Sequence, residues 1–373
     1  MRGLFSADFL ESIDLRSDTV TKPSAEMRQA MSEAEVGDDV FGEDPTVKRL
    51  EEKGAELLGK EAALYVTSGT QGNLVSLLTH CGRGDGAIVG RNSHILNYEG
   101  GGLCALGSIV SIQVDDNAGG DVGNNDVGNN KENNGGDEKS LPSIANLERL
   151  LTAKNNVHFA QSTLLCLENT HNRGGGHASS PQEIARRVDW AHGKGLAVHV
   201  DGARLFNAAV AQGVAPSALV RDVDSVQVCL SKGLGAPVGS LICASRSFIE
   251  RARFWRKKVG GGLRQVGIVA AAGLYALERN VDRLAEDHKN AQLIQNILQK
   301  GGLRVTEVKR PTNMVYFSAR DEASADKLLE ACRKKGVFFN KTAPDTFRLV
   351  THLDVSRQQA NTAADIIVKE YRP

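Results

Sequence analysis

Short apolar runs alternate with amphipathic segments along the first 250 residues of the chain. Segments with helical spacing of their apolar positions separate most of these runs, for example residues 46–59 and 181–195. Nearly continuous apolar strands that alternate with helices predict a mostly parallel sheet covered by helices on both faces. The seven predicted strands are residues 62–66, 86–90, 108–114, 162–168, 195–201, 225–230 and 240–244.

The pattern changes from about residue 262 onwards. A long helical tract is predicted over roughly 265–300, and mixed strands and helices follow it to the C-terminus. The pattern therefore predicts an α/β fold with two domains. The large domain, with the seven-stranded sheet, is expected over residues 14–255, and a smaller α+β C-terminal domain over residues 256–373.

Residues 115–140 differ in composition from the rest of the chain. They consist almost entirely of Asn, Gly, Asp and Lys, with two near-copies of the sequence DVGNN. Such a segment buries too little apolar surface to offset the entropy lost on ordering. We therefore expect a disordered surface insertion between a strand and a helix.

Charge and cysteine content narrow the class of protein. Lys and Arg together number 45, as do Asp and Glu, so no global charge points to nucleic acid or to an anionic membrane surface. No apolar run has the length of a membrane span, and the N-terminus lacks the pattern of a signal peptide. The six cysteines show no paired spacing, which is typical of reduced thiols. These features predict a cytoplasmic protein without a nucleic-acid or membrane partner.

Polar side chains follow the predicted strands at their carboxyl ends, where parallel sheets bind ligands. Ser68, Gly69 and Thr70 come after the first strand and begin a helix, whose free N–H groups suit a phosphate. A helix N-cap would look the same. The other strands are followed by Arg91 and His94, by Asn169 to Asn172, by Asp201 and Arg204, and by Ser231 and Lys232.

Together these residues supply the parts that hold pyridoxal 5′-phosphate. The phosphate would bind at the helix N-terminus, Lys232 would form a Schiff base with the aldehyde, and Asp201 would pair with the pyridinium nitrogen. His94 would stack on the ring, although it could also be an ordinary surface histidine. His199, two residues before Asp201, either supports that carboxylate or packs.

Long motifs along nearly the whole chain, apart from the insertion, resemble the low-specificity L-threonine aldolases, which are fold type I (aspartate-aminotransferase-like) pyridoxal-phosphate enzymes. The motifs are LRSDTVTKP (15–23), GDDVFGEDPTVKRLEE (37–52), SGTQGN (68–73), LENTHN (167–172), HVDGARLFNA (199–208), LSKGLGAPVGS (230–240), GGGLRQ (260–265) and RLVTHLDVS (348–356).

The resemblance implies roles for individual residues. It makes Lys232 the Schiff-base lysine, Asp201 the partner of the pyridine nitrogen and His94 the residue stacked on the ring. The phosphate ligands would be Ser68, Gly69 and Thr70. The substrate carboxylate would be held by Ser17, Arg204 and Arg348, and Arg204 also lies among the cofactor-binding residues. His158 matches a histidine near the substrate hydroxyl, and Lys257 and Arg264 match basic residues that reach the site near a subunit boundary.

By the same resemblance, the enzyme is a lyase of amino-acid metabolism that cleaves L-threonine, L-allo-threonine and related β-hydroxy-α-amino acids. The products from threonine are glycine and acetaldehyde, so the reaction would form glycine and break down threonine. The base that takes the hydroxyl proton is His94, His158 or a water between them. The family is usually a homotetramer with active sites at dimer interfaces, and no metal is expected in catalysis.

Three other functions are compatible with some of these residues. A β-eliminating lyase or an aminotransferase of the same fold would share Lys232, Asp201 and the phosphate site. A metal-dependent hydrolase could use His199, Asp201, His171 and His177 as ligands, but it would leave Lys232 unexplained. A catalytically silent scaffold is disfavoured because the lysine, the aspartate and both arginines are present.

Overall fold

A computed structural model describes residues 12–116, 140–151 and 156–371 of the chain. It contains a mixed seven-stranded sheet, a four-stranded antiparallel sheet and a two-stranded parallel pair. The strands, in chain order, are β1 (Ile13–Asp14), β2 (Ala62–Val66), β3 (Gly86–Gly90), β4 (Val110–Val114), β5 (Ser162–Glu168), β6 (Ala197–Asp201), β7 (Ser225–Cys229), β8 (Ser240–Ala244), β9 (Arg304–Val305), β10 (Met314–Ser318), β11 (Val337–Phe338), β12 (Asn340–Ala343) and β13 (Thr346–Val350).

Thirteen α-helices lie in the described part of the chain, together with short 3₁₀ turns. They are α1 (Ala25–Ser32), α2 (Pro45–Leu58), α3 (Gly69–His80), α4 (His94–Asn97), α5 (Gly102–Ala105), α6 (Ile144–Leu150), α7 (Pro181–Gly193), α8 (Leu205–Gln212), α9 (Arg246–Lys258), α10 (Gly267–Arg279), α11 (Leu284–Lys300), α12 (Glu322–Lys334) and α13 (Arg357–Tyr371). None of the described helices has the length and apolar character that a membrane span requires.

The large sheet confirms the predicted fold class. Its seven strands are the seven predicted runs, in the order β2-β8-β7-β6-β5-β3-β4. All neighbours are parallel except β8, which is antiparallel to both β2 and β7. Strands β3, β7 and β8 are buried along their whole length, as expected for a sheet covered on both faces. The carboxyl ends of β2, β3, β5, β6 and β7 therefore meet at one edge of the sheet.

Local signals set the beginnings of the helices that cover this sheet. Helix α2 has Asp44 as its N-cap and Pro45 in its first turn. Helix α7 begins with a capping box, in which Ser180 and Glu183 each accept a hydrogen bond from the other's backbone N–H. The predicted bounds of these two helices were within two residues of those in the structure.

The predicted long helix over 265–300 is wrong in one respect. The structure has two helices, α10 and α11, with residues 280–283 between them. The Asn280 side chain donates a hydrogen bond to the carbonyl of Leu234 at 2.7 Å, which ties the break to the loop that follows β7. This stretch contains neither Pro nor Gly, so the sequence offered no signal for the interruption.

The small antiparallel sheet has the order β12-β13-β10-β9, and α11, α12 and α13 pack with it around a second apolar core. That core also contains Ile13 and Leu15, because β1 pairs with β11. The apolar core of the large sheet, in turn, includes Leu284 of α11. The packing thus does not follow the bounds 14–255 and 256–373, which stay a prediction.

Most of the predicted insertion, residues 117–139, lies outside the described residues. Its ends do not match the expected disorder. Asp116 and Ser140 are buried, and Asp116 accepts hydrogen bonds from Asn92 and lies 3.2 Å from Nε2 of His171. Asp116 and Ser140 therefore both lie beside the loop that follows β5.

Candidate active site

The phosphate cradle, as we call Ser68, Gly69 and Thr70, begins helix α3 directly after β2. The Ser68 hydroxyl caps the helix by accepting a hydrogen bond from the N–H of Gln71 at 3.1 Å. The first N–H groups of a helix have no partner within it, so those of Gly69 and Thr70 can serve an anion. A Cβ on Gly69 would lie 2.8 Å from Sγ of Cys229, which shows how closely the cradle packs against the end of β7.

Lys232 lies in the turn between β7 and the antiparallel strand β8. Backbone hydrogen bonds close this turn, from Leu230 to Gly239 and from Ala236 to Leu230. Gly235 has a φ of 81°, and a Cβ there would lie against Leu353. The glycines around Lys232 therefore let the turn fold tightly against its neighbours while the lysine side chain lines a pocket.

Asp201, the last residue of β6, is buried and held by a relay of side chains. Its Oδ2 accepts a hydrogen bond from Nδ2 of Asn73 at 3.0 Å, and its Oδ1 accepts one from the N–H of Ala203. Asn73 Oδ1 lies 3.1 Å from Nε2 of His199, and His199 Nδ1 lies 2.8 Å from the Ser225 hydroxyl. His199 therefore supports Asp201, but only through Asn73.

Burial keeps the relay histidine neutral. It lowers the pKa of His199 to about 3, and the nearby His80 adds to the fall. A neutral imidazole can donate from one nitrogen and accept at the other, as the two hydrogen bonds of His199 require.

Glu99 is a site residue that the sequence analysis missed. Its Oε1 accepts a hydrogen bond from Nδ2 of Asn73 at 2.7 Å and lies 2.9 Å from Nδ1 of His94. Burial raises the pKa of Glu99, and the charge of Asp201 adds to this rise. Burial lowers the pKa of His94, but the hydrogen bond to Glu99 and the charges of Asp201 and Glu99 outweigh that effect and raise it.

Glu168, at the carboxyl end of β5, is a second residue whose role was not foreseen. It accepts hydrogen bonds from the N–H groups of His94, at 2.7 Å, and Asn172, at 2.8 Å. Asn172 Oδ1 in turn accepts one from Nη1 of Arg348 at 2.7 Å. One buried carboxylate thus positions both His94 and the partner of Arg348. The signal was an acid at a strand end within LENTHN.

Arg204, one of the residues expected to hold the substrate carboxylate, forms an ion pair within its own chain. Nε and Nη2 of Arg204 donate to the two carboxylate oxygens of Asp18 at 2.7 and 2.6 Å, and both side chains are buried. Burial raises the pKa of Asp18, but the charges of Arg204 and Lys232 outweigh this and hold it well below its usual range. Arg204 still lines the pocket, but its bidentate face is occupied.

Arg348 is different, because it has no carboxylate partner among residues 12–116, 140–151 and 156–371. Its Nη groups donate to Asn172 Oδ1 and to the carbonyl of Arg16, and its buried Nε has no hydrogen-bond partner among the described residues. The remaining N–H donors of Arg348 can bind the carboxylate of a ligand.

A cavity of about 420 Å³ brings five of the predicted residues together: Ser17, His94, Arg204, Lys232 and Arg348. The lining also includes Thr19, Tyr98, Asn172, Arg173, Tyr316, Asn340, Lys341 and Thr342. Tyr98 lies beside His94, with ring centroids 5.5 Å apart. The pocket thus has room for a small polar ligand between the large sheet and the antiparallel sheet.

Lys257 and Arg264 lie outside this pocket, and both are exposed. Arg264 pairs with Asp38 at 2.9 Å. A Cβ on Gly262 would meet the side chain of Lys257, and one on Gly261 would meet Gln71 of α3. The two basic residues therefore flank the first turn of α3 without entering the site of their own chain, and their predicted role across a subunit boundary stays a prediction.

The structure does not bring His158 to the other site residues. This exposed residue precedes the amino end of β5, whereas the pocket lies beyond the carboxyl end. Seven residues of strand span roughly 20 Å, so no side chain bridges the two edges. Within one chain His158 cannot contact a substrate held at Lys232.

The ligand set of the alternative metal hydrolase does not assemble. His199 is engaged by Asn73 and Ser225, His171 lies against Asp116, and His177 lies against Arg310. In the described ranges, the group of acids and histidines close enough to share an ion is His94, Glu99 and Asp201. That group faces the position expected for the cofactor ring.

The residues present fit pyridoxal phosphate on three observations. The cradle offers free helix N–H groups, a buried carboxylate ends β6, and the lysine turn opens onto a pocket beside an imidazole. The side-chain ligand atoms of His94 and Asp201 lie within 4.8 Å of each other, and Lys232 lines the same pocket as His94. The fold and the site together define an enzyme of the fold type I pyridoxal-phosphate class.

Comparisons with known proteins give the family. The family described as beta-eliminating lyase matches residues 14–320. The chain is 45% identical over 347 residues to the low specificity L-threonine aldolase of Escherichia coli K12, covering 93% of this chain and 96% of that protein. It is 42% identical over 352 residues to low-specificity L-threonine aldolase 1 of Arabidopsis thaliana, covering 93% of each. The chain therefore belongs to the beta-eliminating lyase family and is a lyase.

Solved structures agree on the fold. A threonine aldolase of Leishmania major has a TM-score of 0.78 at 17% identity, covering 96% of this chain and 100% of that one. A serine palmitoyltransferase of Sphingomonas wittichii has a TM-score of 0.72 at 22% identity, covering 96% and 87%. At these identities the likeness extends to the fold alone.

Proposed function

We propose that this protein is a pyridoxal-phosphate-dependent aldolase that cleaves L-threonine, L-allo-threonine and related β-hydroxy-α-amino acids. Threonine would give glycine and acetaldehyde. The observation that carries the proposal is the pocket in which Lys232, His94 and an arginine without a carboxylate partner, Arg348, lie together. The relatives named as threonine aldolases support this choice of reaction.

In this proposal the protein first binds and orients two groups. The cradle holds the cofactor phosphate, Asp201 pairs with the ring nitrogen, and Lys232 binds the aldehyde carbon. Arg348, with the Ser17 hydroxyl beside it, holds the substrate carboxylate and so fixes the direction of the Cα–Cβ bond. When bound, the cofactor ring accepts the electron pair of the bond that breaks.

His94 is the residue that we assign to the proton of the β-hydroxyl. A carboxylate accepts hydrogen bonds, so Nδ1 of His94 carries the proton that points at Glu99, and Nε2 is left as an acceptor. With His158 too far away in the same chain, His94 is the imidazole that lines the pocket. The same hydrogen bond to Glu99 stabilises the imidazolium that forms when Nε2 takes the proton.

The test uses purified protein with added pyridoxal phosphate and either L-threonine or L-allo-threonine. We expect glycine and acetaldehyde in equal amounts, with the activity lost in Lys232→Ala. The matched control is Lys300→Ala, which removes an exposed lysine at the end of α11, outside the pocket, and should leave cleavage unchanged. Bound cofactor without release of glycine would overturn the aldolase assignment.

A second reaction is worth measuring in the same samples because the family match is to beta-eliminating lyases. Elimination of the β-hydroxyl from threonine would release 2-oxobutyrate and ammonia instead of acetaldehyde. The pocket argues for cleavage, because His94 can accept the hydroxyl proton. Release of 2-oxobutyrate as the main product would replace the aldolase by the eliminating lyase.

The subunit arrangement and location belong to the same proposal. We infer a homotetramer from the resemblance to the family, and the exposed side chains of Phe41 and Ile268 beside Arg264 support a contact between copies. Light scattering on the purified protein tests this directly. A cytoplasmic location is supported by the six cysteines, all of which are free thiols.

A further inference from the structure

A second arginine without a carboxylate partner lines the same pocket. Arg173 donates from Nη1 to the carbonyl of Thr342 at 3.0 Å, and within the described ranges no acid lies within ion-pair distance of it. It is half-buried, on the loop that follows β5. A partly desolvated guanidinium that faces a cavity without a counter-charge is a ready site for an anion.

The other cations of the pocket are already paired or assigned. Arg204 is paired with Asp18, and Lys341 lies 2.6 Å from Asp326. Lys232 has its role in the proposed chemistry. This leaves two positive charges available to a ligand, on Arg173 and Arg348, whereas the α-carboxylate of an amino acid supplies one negative charge.

The two guanidinium groups are close but anchored at different places. Both act on the buried hydroxyl of Tyr316, where their charges oppose the rise in its pKa that burial causes. Arg348 pairs with Asn340 across the β12–β13 ladder, whereas Arg173 is tied to Thr342, two residues further along β12. The two guanidinium groups are thus held at separate points of one pocket, as the two carboxylates of a dicarboxylic amino acid require.

We propose that Arg173 forms a second carboxylate subsite and that the preferred substrates include β-hydroxy-α-amino acids with an acidic side chain, of the 3-hydroxyaspartate class. This inference rests on the proposed aldolase function. Arg348 would hold the α-carboxylate and Arg173 the side-chain carboxylate. Cleavage breaks the Cα–Cβ bond, the β-hydroxyl loses its proton and Cα gains one, so the products are glycine and glyoxylate without any oxidant or reductant.

The kinetic test compares threo- and erythro-3-hydroxyaspartate with L-threonine and L-allo-threonine, using the cofactor-loaded enzyme and Arg173→Gln. We expect kcat/KM for 3-hydroxyaspartate to fall about tenfold or more in the variant, as for loss of one charge-assisted hydrogen-bonded pair, while threonine cleavage changes less than about twofold. Arg221→Gln is the matched control, since it removes an exposed arginine that pairs with Asp222 outside the pocket and should leave kcat/KM for both substrates unchanged.

Binding gives a readout that does not need turnover. By calorimetry, L-aspartate should bind wild type more tightly than L-2-aminobutyrate does, and Arg173→Gln should abolish that difference, with Arg173→Lys restoring part of it. An equal loss for both ligands would place Arg173 on the α-carboxylate and overturn the subsite. So would threonine cleavage without any cleavage of 3-hydroxyaspartate. If neither amino acid is cleaved, the proposed function fails, and the aspartate preference alone then decides the subsite.

Discussion

At the scale of single residues, the geometry of the pocket depends on buried carboxylates that hold its lining residues. Glu99 holds His94 and Asn73, Glu168 holds the N–H groups of His94 and Asn172, and Asp18 occupies the fork of Arg204. Charged groups in partly buried positions are strongly oriented by such partners, because the alternative is an unpaired charge away from water. The chemistry of His94 is therefore set by Glu99 as much as by its own position.

Glu99→Gln should lower kcat for threonine roughly tenfold. This is less than the full rate contribution of a general base, because His94 itself remains. Loss of the carboxylate removes the group that raises the pKa of His94, so the acid limb of the pH–kcat profile should move to lower pH. The acid limb moves in this direction because His94 accepts the hydroxyl proton only in its neutral form, and a lower pKa keeps it neutral to lower pH. The measurement is kcat against pH for both proteins.

If His94 and Glu99 act as a unit, the losses of kcat in the two single variants do not add, and the double variant is therefore the control. In a His94→Gln background, the Glu99 substitution should cost little more. Unchanged kcat together with an unmoved acid limb in Glu99→Gln would show that this carboxylate is structural only.

The sequence predicted the polar residues at the strand ends better than the residues that hold them. Lys232, Asp201 and His94 could be found because each follows a predicted strand, and the sheet topology then brings strand ends together. Glu99 lies in a loop, 26 residues from Asn73 and far along the chain from Asp201. No spacing rule connects these three positions, so only the folded chain shows the contact.

At the scale of elements, the cradle depends on how closely α3 packs on the sheet. A Cβ on Gly72 would lie 2.6 Å from Cγ of Gln227 on β7 and 3.4 Å from Cγ2 of Val66. The strands themselves were predictable because a buried parallel strand is a continuous apolar run. The distance between α3 and β7 could not be predicted, since it depends on the absence of a Cβ at Gly72.

Gly72→Ala should destabilise the protein by about 1–3 kcal/mol, the usual cost of forcing a methyl group into a packed interior. It should also weaken pyridoxal-phosphate binding, because the start of α3 must shift. Urea unfolding of the cofactor-free protein and cofactor titration by absorbance measure the two effects. Gly193→Ala, at the end of α7 where a Cβ meets nothing within 4 Å, is the control and should not destabilise. Unaltered stability in Gly72→Ala would mean that α3 has more freedom than its contacts indicate.

A pair of buried histidines connects three elements and should make stability depend on pH. His80 on α3 and His199 on β6 both contact the Ser225 hydroxyl on β7. Burial lowers their pKa values to about 4 and about 3, respectively. Between those values and the ordinary histidine pKa, the unfolded chain binds more protons than the native one, so stability falls as the pH drops below about 6.5.

His199→Asn should reduce this dependence. One histidine that stays neutral in the native state costs about 2 kcal/mol of stability at pH 5 relative to pH 7. The difference in unfolding free energy between the two pH values, measured with urea, should therefore be smaller in the variant by about that amount. His158→Asn, at an exposed position, should leave the difference unchanged. A variant with the wild-type pH dependence would show that His199 is not the group that titrates.

At the scale of the whole molecule, the two edges of the large sheet carry different parts of the predicted site. The pocket is at the carboxyl edge, whereas His158 is at the amino edge of the same sheet. The fold of one chain is accounted for by its own two cores, and the apolar pattern was sufficient to predict the large sheet. Contacts between copies leave only a weak trace in a sequence, because a few exposed apolar residues are normal on any surface.

His158 can serve a substrate only in the site of another copy, which gives a decisive experiment. Lys232→Ala should be inactive, and His158→Asn should have a much lower kcat than wild type. Oligomers that contain both variants combine the lysine of one chain with the histidine of another. In a random mixture of two-fold pairs, about a quarter of the sites would then be complete.

Co-expression of the two variants with different affinity tags, and isolation of the mixed oligomers, allows the comparison. Activity well above the sum of the separate variants would place His158 in the partner's site and make the assembly a requirement for full activity. Mixed oligomers no more active than that sum would remove His158 from the chemistry and leave His94, held by Glu99, as the histidine of the reaction. Wild-type kcat in His158→Asn alone would lead to the same conclusion without the mixture.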